Sequence, residues 1–534
     1  MSRDSVFAGT TTHVRLGLRR DRIRITAWAI TLAVLLVGIA TSWDRLYPTE
    51  QSRRELAATL ALSPSLTAIL GPLFNPISTG GLTAWRSIAG YVLILGLVSS
   101  FVVVRHTRAD EQAGIVELTG SGSVGAAARA SAACLIALGY GCAFAVPAVL
   151  GLVGVGLGLG GSLVLVLAIV SAAAVFIGVA AVSAQVAHSS RGANGMAGAA
   201  IALLFIVSAV ANSTSNSPLV WLSPFGWAEQ ARAFADERWW LIAMSFLCAG
   251  GLAGVGILIS SRRDLGSSLL APRLSRTYAR SYLASPLGLS WRVDRGWLLW
   301  WLVGALLLGA IEGSILKSSL EAMSANPSLL KLIEALGGSG NLASAFIVLM
   351  IGIFALAACG FGIATIGRLI LSESSSQAEL ELSSPISRAR WASGRVILGY
   401  LGALAIVLAG AIGLGLVYGA SVHDIPTSLV HAVGAGLITV PAVWLVMGVA
   451  MLSLGLRPSW FAISWVALGW CVIAGWFGVV LGLPEWILQT SPFGHLPTWP
   501  SGPMSWTAVI ILSVIAVVML LVSERGLRDR DFPQ

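Results

Sequence analysis

Long apolar runs separated by shorter polar segments dominate the chain from end to end. A run of about 18 or more apolar residues spans the ~30 Å hydrocarbon core of a bilayer when it forms a helix. The pattern therefore predicts an all-α polytopic membrane protein with about 12 spans. The predicted spans are 25–43, 86–104, 130–157, 162–185, 196–212, 239–260, 297–316, 344–366, 393–418, 428–454, 459–482 and 505–522.

The composition favours a membrane protein over a soluble one. Of the 534 residues, 56% are hydrophobic and 11% are charged, whereas a soluble domain carries about 25% charged residues. The net charge of +9 does not indicate a nucleic-acid partner, because the arginines cluster beside the predicted spans. Most of the 33 lysines and arginines then fall on one side of the membrane. The positive-inside rule predicts a plasma-membrane protein with both termini in the cytoplasm.

The polar segments group the spans into two sets of six. The predicted domains are a cytoplasmic amphipathic segment (1–24), a first six-helix half (25–260), an arginine-rich cytoplasmic linker (261–296), a second six-helix half (297–522) and a cytoplasmic tail (523–534). The N-terminal segment is predicted to lie on the inner leaflet, and the alternative is a basic flank of the first span.

Several motifs recur in the same order in both halves. Six spans per half place both copies in the same orientation, so the pattern predicts two parallel repeats related by a pseudo-two-fold axis. Such a pair can enclose a pathway along its axis. The repeated motifs are Pro64-Ser65-Leu66 and Pro327-Ser328-Leu329, the Glu-x5-Glu pairs Glu111/Glu117 and Glu373/Glu379, and Ser223-Pro224-Phe225-Gly226 and Ser491-Pro492-Phe493-Gly494.

A polar loop is predicted between the second and third spans of each half. In the second loop, Ser384 and Pro385 suit the N-cap and first position of a helix that enters the ninth span. An exposed charged element at the membrane edge suits docking by a partner protein, and the alternative is an ordinary solvated loop. The predicted coupling residues are Glu111, Gly114, Glu117, Glu373, Glu379, Pro385, Ser387 and Arg388.

The two Ser-Pro-Phe-Gly segments are predicted to lie outside the membrane, before the sixth and twelfth spans. As gate loops they place Phe225 and Phe493 over the pathway, and the alternative is a belt of interfacial aromatic anchors. Glu312 is the acid predicted to lie at membrane depth, near the outer end of the seventh span. An acid there is a candidate site for substrate or protons.

No arrangement of residues in the sequence indicates catalysis or metal binding. The chain has no P-loop, because leucine precedes each of its two lysines, Lys317 and Lys331. It also has no HExxH motif and no arguable Ser/His/Asp set. All five cysteines fall within predicted spans, which predicts free, buried thiols. If ATP drives the protein, another chain must bind it.

These features together resemble the ABC-2 class of ATP-binding-cassette exporter permeases. The carrying motifs are the two Glu-x5-Glu loops, the PISRARW run at 385–391 and the repeated SPFG. More narrowly, the chain looks like the fused twelve-span permeases of the actinobacterial tetronasin-resistance and multidrug-efflux type. The resemblance implies a transport subunit that has no ATPase site and no cofactor of its own. Two copies of a separate ABC ATPase would bind ATP and Mg²⁺ and drive export of lipophilic antibiotics, drugs or lipids.

Two other functions stay open from the residues. A proton-coupled twelve-helix drug carrier has the same six-plus-six organisation, and Glu312 would then be its leading proton site. The third hypothesis is a membrane enzyme such as a lipid-linked glycosyltransferase. The lack of an acidic cluster in the outer loops argues against it.

Overall fold

The computed structural model describes residues 6–61, 64–116, 124–213, 217–264, 278, 280–324, 342–374, 383, 386–477 and 484–529. Within these residues the chain is helical and contains no strand. In the described part of the chain, twelve helices are long and apolar enough to cross a membrane. We number them α1 (Thr10–Leu46), α2 (Thr79–Val104), α3 (Ala128–Gly154), α4 (Leu159–Val186), α5 (Ser190–Ser213), α6 (Trp239–Arg262), α7 (Pro286–Ser324), α8 (Leu342–Ser374), α9 (Arg388–Ser421), α10 (Ile425–Leu456), α11 (Ala462–Val472) and α12 (Trp506–Asp529).

The predicted all-α polytopic membrane fold with twelve spans is confirmed, although several helices are longer than the predicted spans. The segment at 10–24 is continuous with α1, and α7 begins inside the predicted linker. A run of apolar residues marks only the part of a helix that lies in lipid. The helix itself continues beyond the membrane, because arginines there do not end it. α11 is short, but flanking 3-10 and π-helical turns lengthen its span to Pro458–Gly475.

The chain divides into two compact units, Met1–Ser275 and Arg276–Gln534. The same helices meet inside each unit when they are counted from its start. The first helix packs on the third, the second on the fourth, and the fourth on the sixth. In the first unit, two short helices (Glu50–Ala61 and Pro64–Leu70) lie between α1 and α2. We call the end of each unit at which its second helix passes into its third the loop end.

Small residues allow two helices of the second unit to pack backbone against backbone. A Cβ atom added at Gly309 of α7 would lie 2.1 Å from the carbonyl oxygen of Gly410 in α9. One added at Gly413 of α9 would lie 2.2 Å from the carbonyl oxygen of Leu306. Close packing at small residues is a common source of helix association in membranes, where lipid offers no hydrophobic drive.

Large apolar side chains also cover much of the outside of the units. Leu247 of α6 is 77% exposed, and α12 exposes Ile510, Val514 and Leu521. A soluble protein rarely exposes so continuous an apolar surface. These faces therefore suit contact with lipid, as expected for a multi-pass membrane protein.

Candidate functional site

The first predicted loop begins as a continuation of α2. The helix passes into a π-helical turn (Arg105–Ala109) and then a short α-helical turn (Asp110–Gln112). Gly114 follows with φ of +70°, and its N–H donates to the carbonyl of Glu111 at 3.2 Å. Glycine takes this backbone angle without strain, so Gly114 ends the helix. Glu117 lies outside the described residues.

Glu111 is held inside its own unit by two arginines. Its Oε2 accepts hydrogen bonds from Arg108 at 2.9 Å and from Arg263, beyond the end of α6, at 2.8 Å. Arg108 is itself buried, and its Nε and Nη2 donate to the carbonyl of Ala187 at 2.9 and 2.6 Å. Glu111 therefore fastens the loop to the ends of α4 and α6.

An aspartate of α1 lies beneath the start of the same loop. Asp21 is fully buried. Its carboxylate lies 2.9 Å from Arg105 Nη1, 2.8 Å from His106 Nε2 and 3.6 Å from Arg24. Next to it, Arg20 of α1 pairs with Asp110 at 3.1 Å. Charged contacts thus join α1 to the turns that follow α2.

The second predicted loop is described at its two ends. Glu373 belongs to the last turn of α8 and is half-buried, so the helix reaches further than the predicted span. α9 begins at Arg388, and Ser387 Oγ caps it by accepting from the N–H of Arg390 at 3.4 Å. The predicted start at Pro385 was wrong, because Ile386 and Ser387 are not helical. The sequence offers two serines that suit an N-cap, Ser384 and Ser387, and the helix begins after the second of them. Glu379 and Pro385 lie outside the described residues.

The second unit repeats the buried aspartate of the first. Asp294 of α7 is 1% exposed and forms an ion pair with Arg368 of α8. The Arg368 guanidinium also lies 4.9 Å from the ring centre of Trp297. Sequence reasoning missed Asp21 and Asp294. Their signal was an acid among arginines just before the first span of each half.

Each unit has a cavity at its loop end, between its first helix and the start of its third. The cavity in the first unit has a volume of about 80 Å³ and includes His13, Arg20, His106, Asp110 and Arg129 in its lining. The cavity in the second unit has a volume of about 210 Å³ and has one charged residue in its lining, Arg395, beside Leu289, Val293, Ile386 and Trp391. These depressions are the concave surfaces next to the predicted coupling loops.

The first Ser-Pro-Phe-Gly segment inserts into the core of its unit. Ser223 caps a short helix (Pro224–Gln230) and donates to the carbonyl of Leu204 in α5 at 2.8 Å. Phe225 is fully buried, with its ring centre 5.7 Å from that of Phe176 and 5.3 Å from that of Phe205. A Cβ at Gly226 would lie 2.4 Å from the carbonyl oxygen of Val220, so only glycine fits there. Phe225 is thus a core residue and not an interfacial anchor.

The second Ser-Pro-Phe-Gly segment takes a different form from the first. Pro492–His495 is a single 3-10 turn. Phe493 is only partly buried against the core of the second unit, and Gly494 is exposed. Identical residues thus form a buried helix in one unit and a shallow turn in the other. A shared gate function for both segments stays a prediction.

Glu229 is a buried carboxyl group that sequence reasoning missed, in the last turn of the short helix after Ser223. It is 5% exposed, and its Oε2 accepts a hydrogen bond from Asn212 Nδ2 at 2.9 Å. Burial raises the pKa of Glu229 to about 8, and the Asn212 hydrogen bond opposes that shift. Gly71, with φ of +82°, leaves the carboxyl its space, because a Cβ there would lie 2.7 Å from Glu229 Cδ. In the sequence, the signal for Glu229 was an acid three residues after the Ser-Pro-Phe-Gly motif.

The other residues singled out in the sequence are Glu312 and the five cysteines. Glu312 lies half-buried in α7, five residues before Lys317. Among the five cysteines, which are all free thiols, Cys359 and Cys471 are buried, as predicted, whereas Cys142 is exposed on α3. A buried position was wrong for Cys142 because an apolar span has a lipid-facing side.

Comparisons with known proteins identify the family. A family model for the C-terminal domain of the multidrug efflux system permease Rv1217c matches residues 283–528. The multidrug efflux system permease protein Rv1217c of Mycobacterium tuberculosis (strain ATCC 25618 / H37Rv) is 32% identical over 530 residues, which cover 99% of this chain and 96% of that protein. The chain therefore belongs to the family of multidrug efflux system permeases that includes Rv1217c.

Proposed function

We propose that the chain is the membrane subunit of an ATP-driven exporter of the ABC-2 class, of the tetronasin-resistance and multidrug-efflux kind. It would move lipophilic antibiotics, drugs or lipids out of the cell. Two copies of a separate ATPase subunit would bind ATP and Mg²⁺. The family is one of multidrug efflux permeases, and the sequence contains no P-loop of its own.

The observation that carries the proposal is the repeated construction of the loop ends. In each unit, an arginine near the end of the second helix (Arg368) or in the turn that follows it (Arg105) pairs with a buried aspartate of the first helix. Next to each loop lies a cavity. A protein partner that pushes on such a loop moves a helix, because the loop is attached by charged contacts as well as by the chain.

The contacts of Glu111 refine the roles of the coupling residues. Since Glu111 pairs with Arg108 and Arg263, its role in this proposal is to hold the first loop in shape. The residues that contact the ATPase directly would then be those later in each loop. They are Glu117 in the first loop and Glu379 and Arg388 in the second. The loop ends and both termini would face the cytoplasm, in keeping with the distribution of arginine.

Purification of the tagged chain from mild detergent, followed by an ATPase assay, tests the proposal. We expect an ATPase subunit to copurify and the double variant Glu373→Gln/Glu379→Gln to lower copurifying activity about tenfold, which corresponds to ~1.4 kcal/mol of binding. Glu485→Gln is the matched control, because Glu485 is an exposed acid distant in sequence from both loops. A wild-type chain that purifies without an ATPase in several detergents contradicts the proposal.

The proton-coupled carrier remains the second candidate, and Glu229 is the observation that favours it. A carboxyl group with a pKa of about 8 can gain and lose a proton near neutral pH. Efflux that persists without ATP and stops when the proton gradient is removed would identify this mechanism.

A further inference from the structure

The two units share one buried ion pair at the same place in their folds. Asp21 lies on the first helix of its unit and Asp294 on the first helix of the other. Each is almost completely removed from water. Each pairs with an arginine, Arg105 directly after the second helix in one unit and Arg368 within the second helix in the other. The repetition of this pair in both units indicates a shared structural role.

The position of each arginine connects the pair to its loop. Arg105 opens the π-helical turn through which α2 becomes the first loop. Arg368 precedes Glu373 by little more than one turn of α8. The pair therefore joins the first helix to the second near the loop end of each unit.

A buried pair of this kind resists separation more than an apolar contact does. An apolar surface can slide over its neighbour with little loss, whereas parting the pair leaves a charge without compensation in a dry site. Because separating the pair is costly, a displacement of one helix is passed to the other helix through the pair.

We infer that Asp21–Arg105 and Asp294–Arg368 transmit the displacement of each loop to the first helix of its unit. This inference rests on the proposed function, in which an ATPase moves the loops. The four side chains are positioning residues, because they act through the helices that they join and not through contact with substrate or ATP.

The two links differ in their surroundings, and the difference makes the second one easier to test. Asp21 is also approached by His106 and Arg24, so the loss of Arg105 leaves it other cationic neighbours. For Asp294, among the described residues, Arg368 is the one ion-pair partner. Neutralising Asp294 or Arg368 therefore removes the charge pairing of the second link, and after Asp294→Asn the contact between Arg368 and Trp297 remains.

The experiment compares transport with ATP hydrolysis in vesicles that contain the complete complex and use ethidium as the transported probe. The variants are Asp294→Asn, Arg368→Gln and the exchange Asp294→Arg/Arg368→Asp. We expect each single variant to retain the copurifying ATPase and its hydrolysis while ethidium moved per ATP falls about tenfold, within the usual range of coupling between sites. The exchange should restore much of this ratio, because it forms the ion pair again with its charges reversed. A merely structural defect would lower assembly and hydrolysis together with transport. Asp236→Asn is the control, because it changes an exposed ion pair with Arg232 and Arg238.

Each outcome decides a separate question. A complex in which Asp294→Asn leaves the ratio of transport to hydrolysis unchanged overturns the link and leaves the proposed function standing. An exchange variant that assembles and hydrolyses ATP but transports no better than the single variants also overturns it. If a single variant does not assemble, Asp21→Asn, in which the neighbouring Arg24 and His106 remain, provides the same ratio from the other unit. A wild-type chain without an ATPase overturns the proposed function, and the link with it.

Discussion

At the scale of single residues, three buried carboxyl groups show two ways of accommodating an acid in an apolar fold. Asp21 and Asp294 face arginines, which compensate an ionised carboxylate. Glu229 has the neutral amide of Asn212 as its hydrogen-bond donor. Burial without a compensating cation favours the protonated form. The first two acids therefore suit a permanent link, and Glu229 suits a group that exchanges protons.

The stability of the chain should depend on pH through Glu229. Its pKa is about 8 in the folded chain and has an ordinary value of 4.5. The folded chain therefore holds a proton that the unfolded chain has released between these pH values. Stability contributed by this group is present below pH 4.5 and is lost as pH rises towards 8, by about 1.4 kcal/mol per pH unit. Glu229→Gln should remove this dependence, which thermal unfolding in mild detergent across that range measures.

Other groups also titrate in this range, so the useful quantity is the difference between the wild type and the variant. That difference should grow in favour of Glu229→Gln as pH rises. Glu485→Gln, at an exposed acid, should follow the wild-type profile. Parallel profiles for the wild type and Glu229→Gln would contradict the assignment of a neutral, buried carboxyl group.

At the scale of elements, the contact between α7 and α9 depends on the absence of side chains. Gly309→Ala places a Cβ atom 2.1 Å from a backbone oxygen of α9, and a backbone cannot swing aside as a flexible side chain can. We expect a destabilisation on the order of 1–3 kcal/mol, the usual cost of overpacking. Gly304→Ala is a matched control on the same helix, because its Cβ meets nothing within 4 Å. Equal unfolding temperatures for the two variants would contradict the close contact.

The two Ser-Pro-Phe-Gly segments show the limit of reading elements from local sequence. Ser223 and Ser491 both precede a proline, a step that favours a turn. In the first unit, the motif follows a 3-10 turn (Pro218–Leu222), and its phenylalanine fills a space between Phe176 and Phe205. The partners lie far away in sequence, so the depth of each segment is a property of packing. The local sequence predicts a turn but does not predict how deeply the segment is buried.

At the scale of the whole molecule, the apolar pattern predicted the twelve spans because lipid imposes the same length on every helix that crosses it. It did not predict that α1 begins at Thr10 or that α7 begins at Pro286, because water imposes no such limit beyond the membrane. Repeated motifs drew attention to both loops. The Asp21–Arg105 and Asp294–Arg368 pairs escaped notice, since their members lie far apart in sequence and an acid beside arginines usually belongs to a solvated surface.

The source of energy is the property of the whole molecule that separates the two candidate functions. If an ATPase moves the loops, efflux of ethidium from vesicles should require ATP and should survive an uncoupler. Glu229→Gln and Glu312→Gln should then change the rate by less than about threefold, because neither carboxyl lies at a loop end. If protons drive the chain, efflux should follow an imposed pH gradient without ATP, and one of these two variants should abolish it. Vesicles separate these outcomes better than cells do, because an uncoupler also depletes cellular ATP. Glu229→Gln is the decisive variant, since it keeps the size and the Asn212 contact of the side chain while removing its proton exchange.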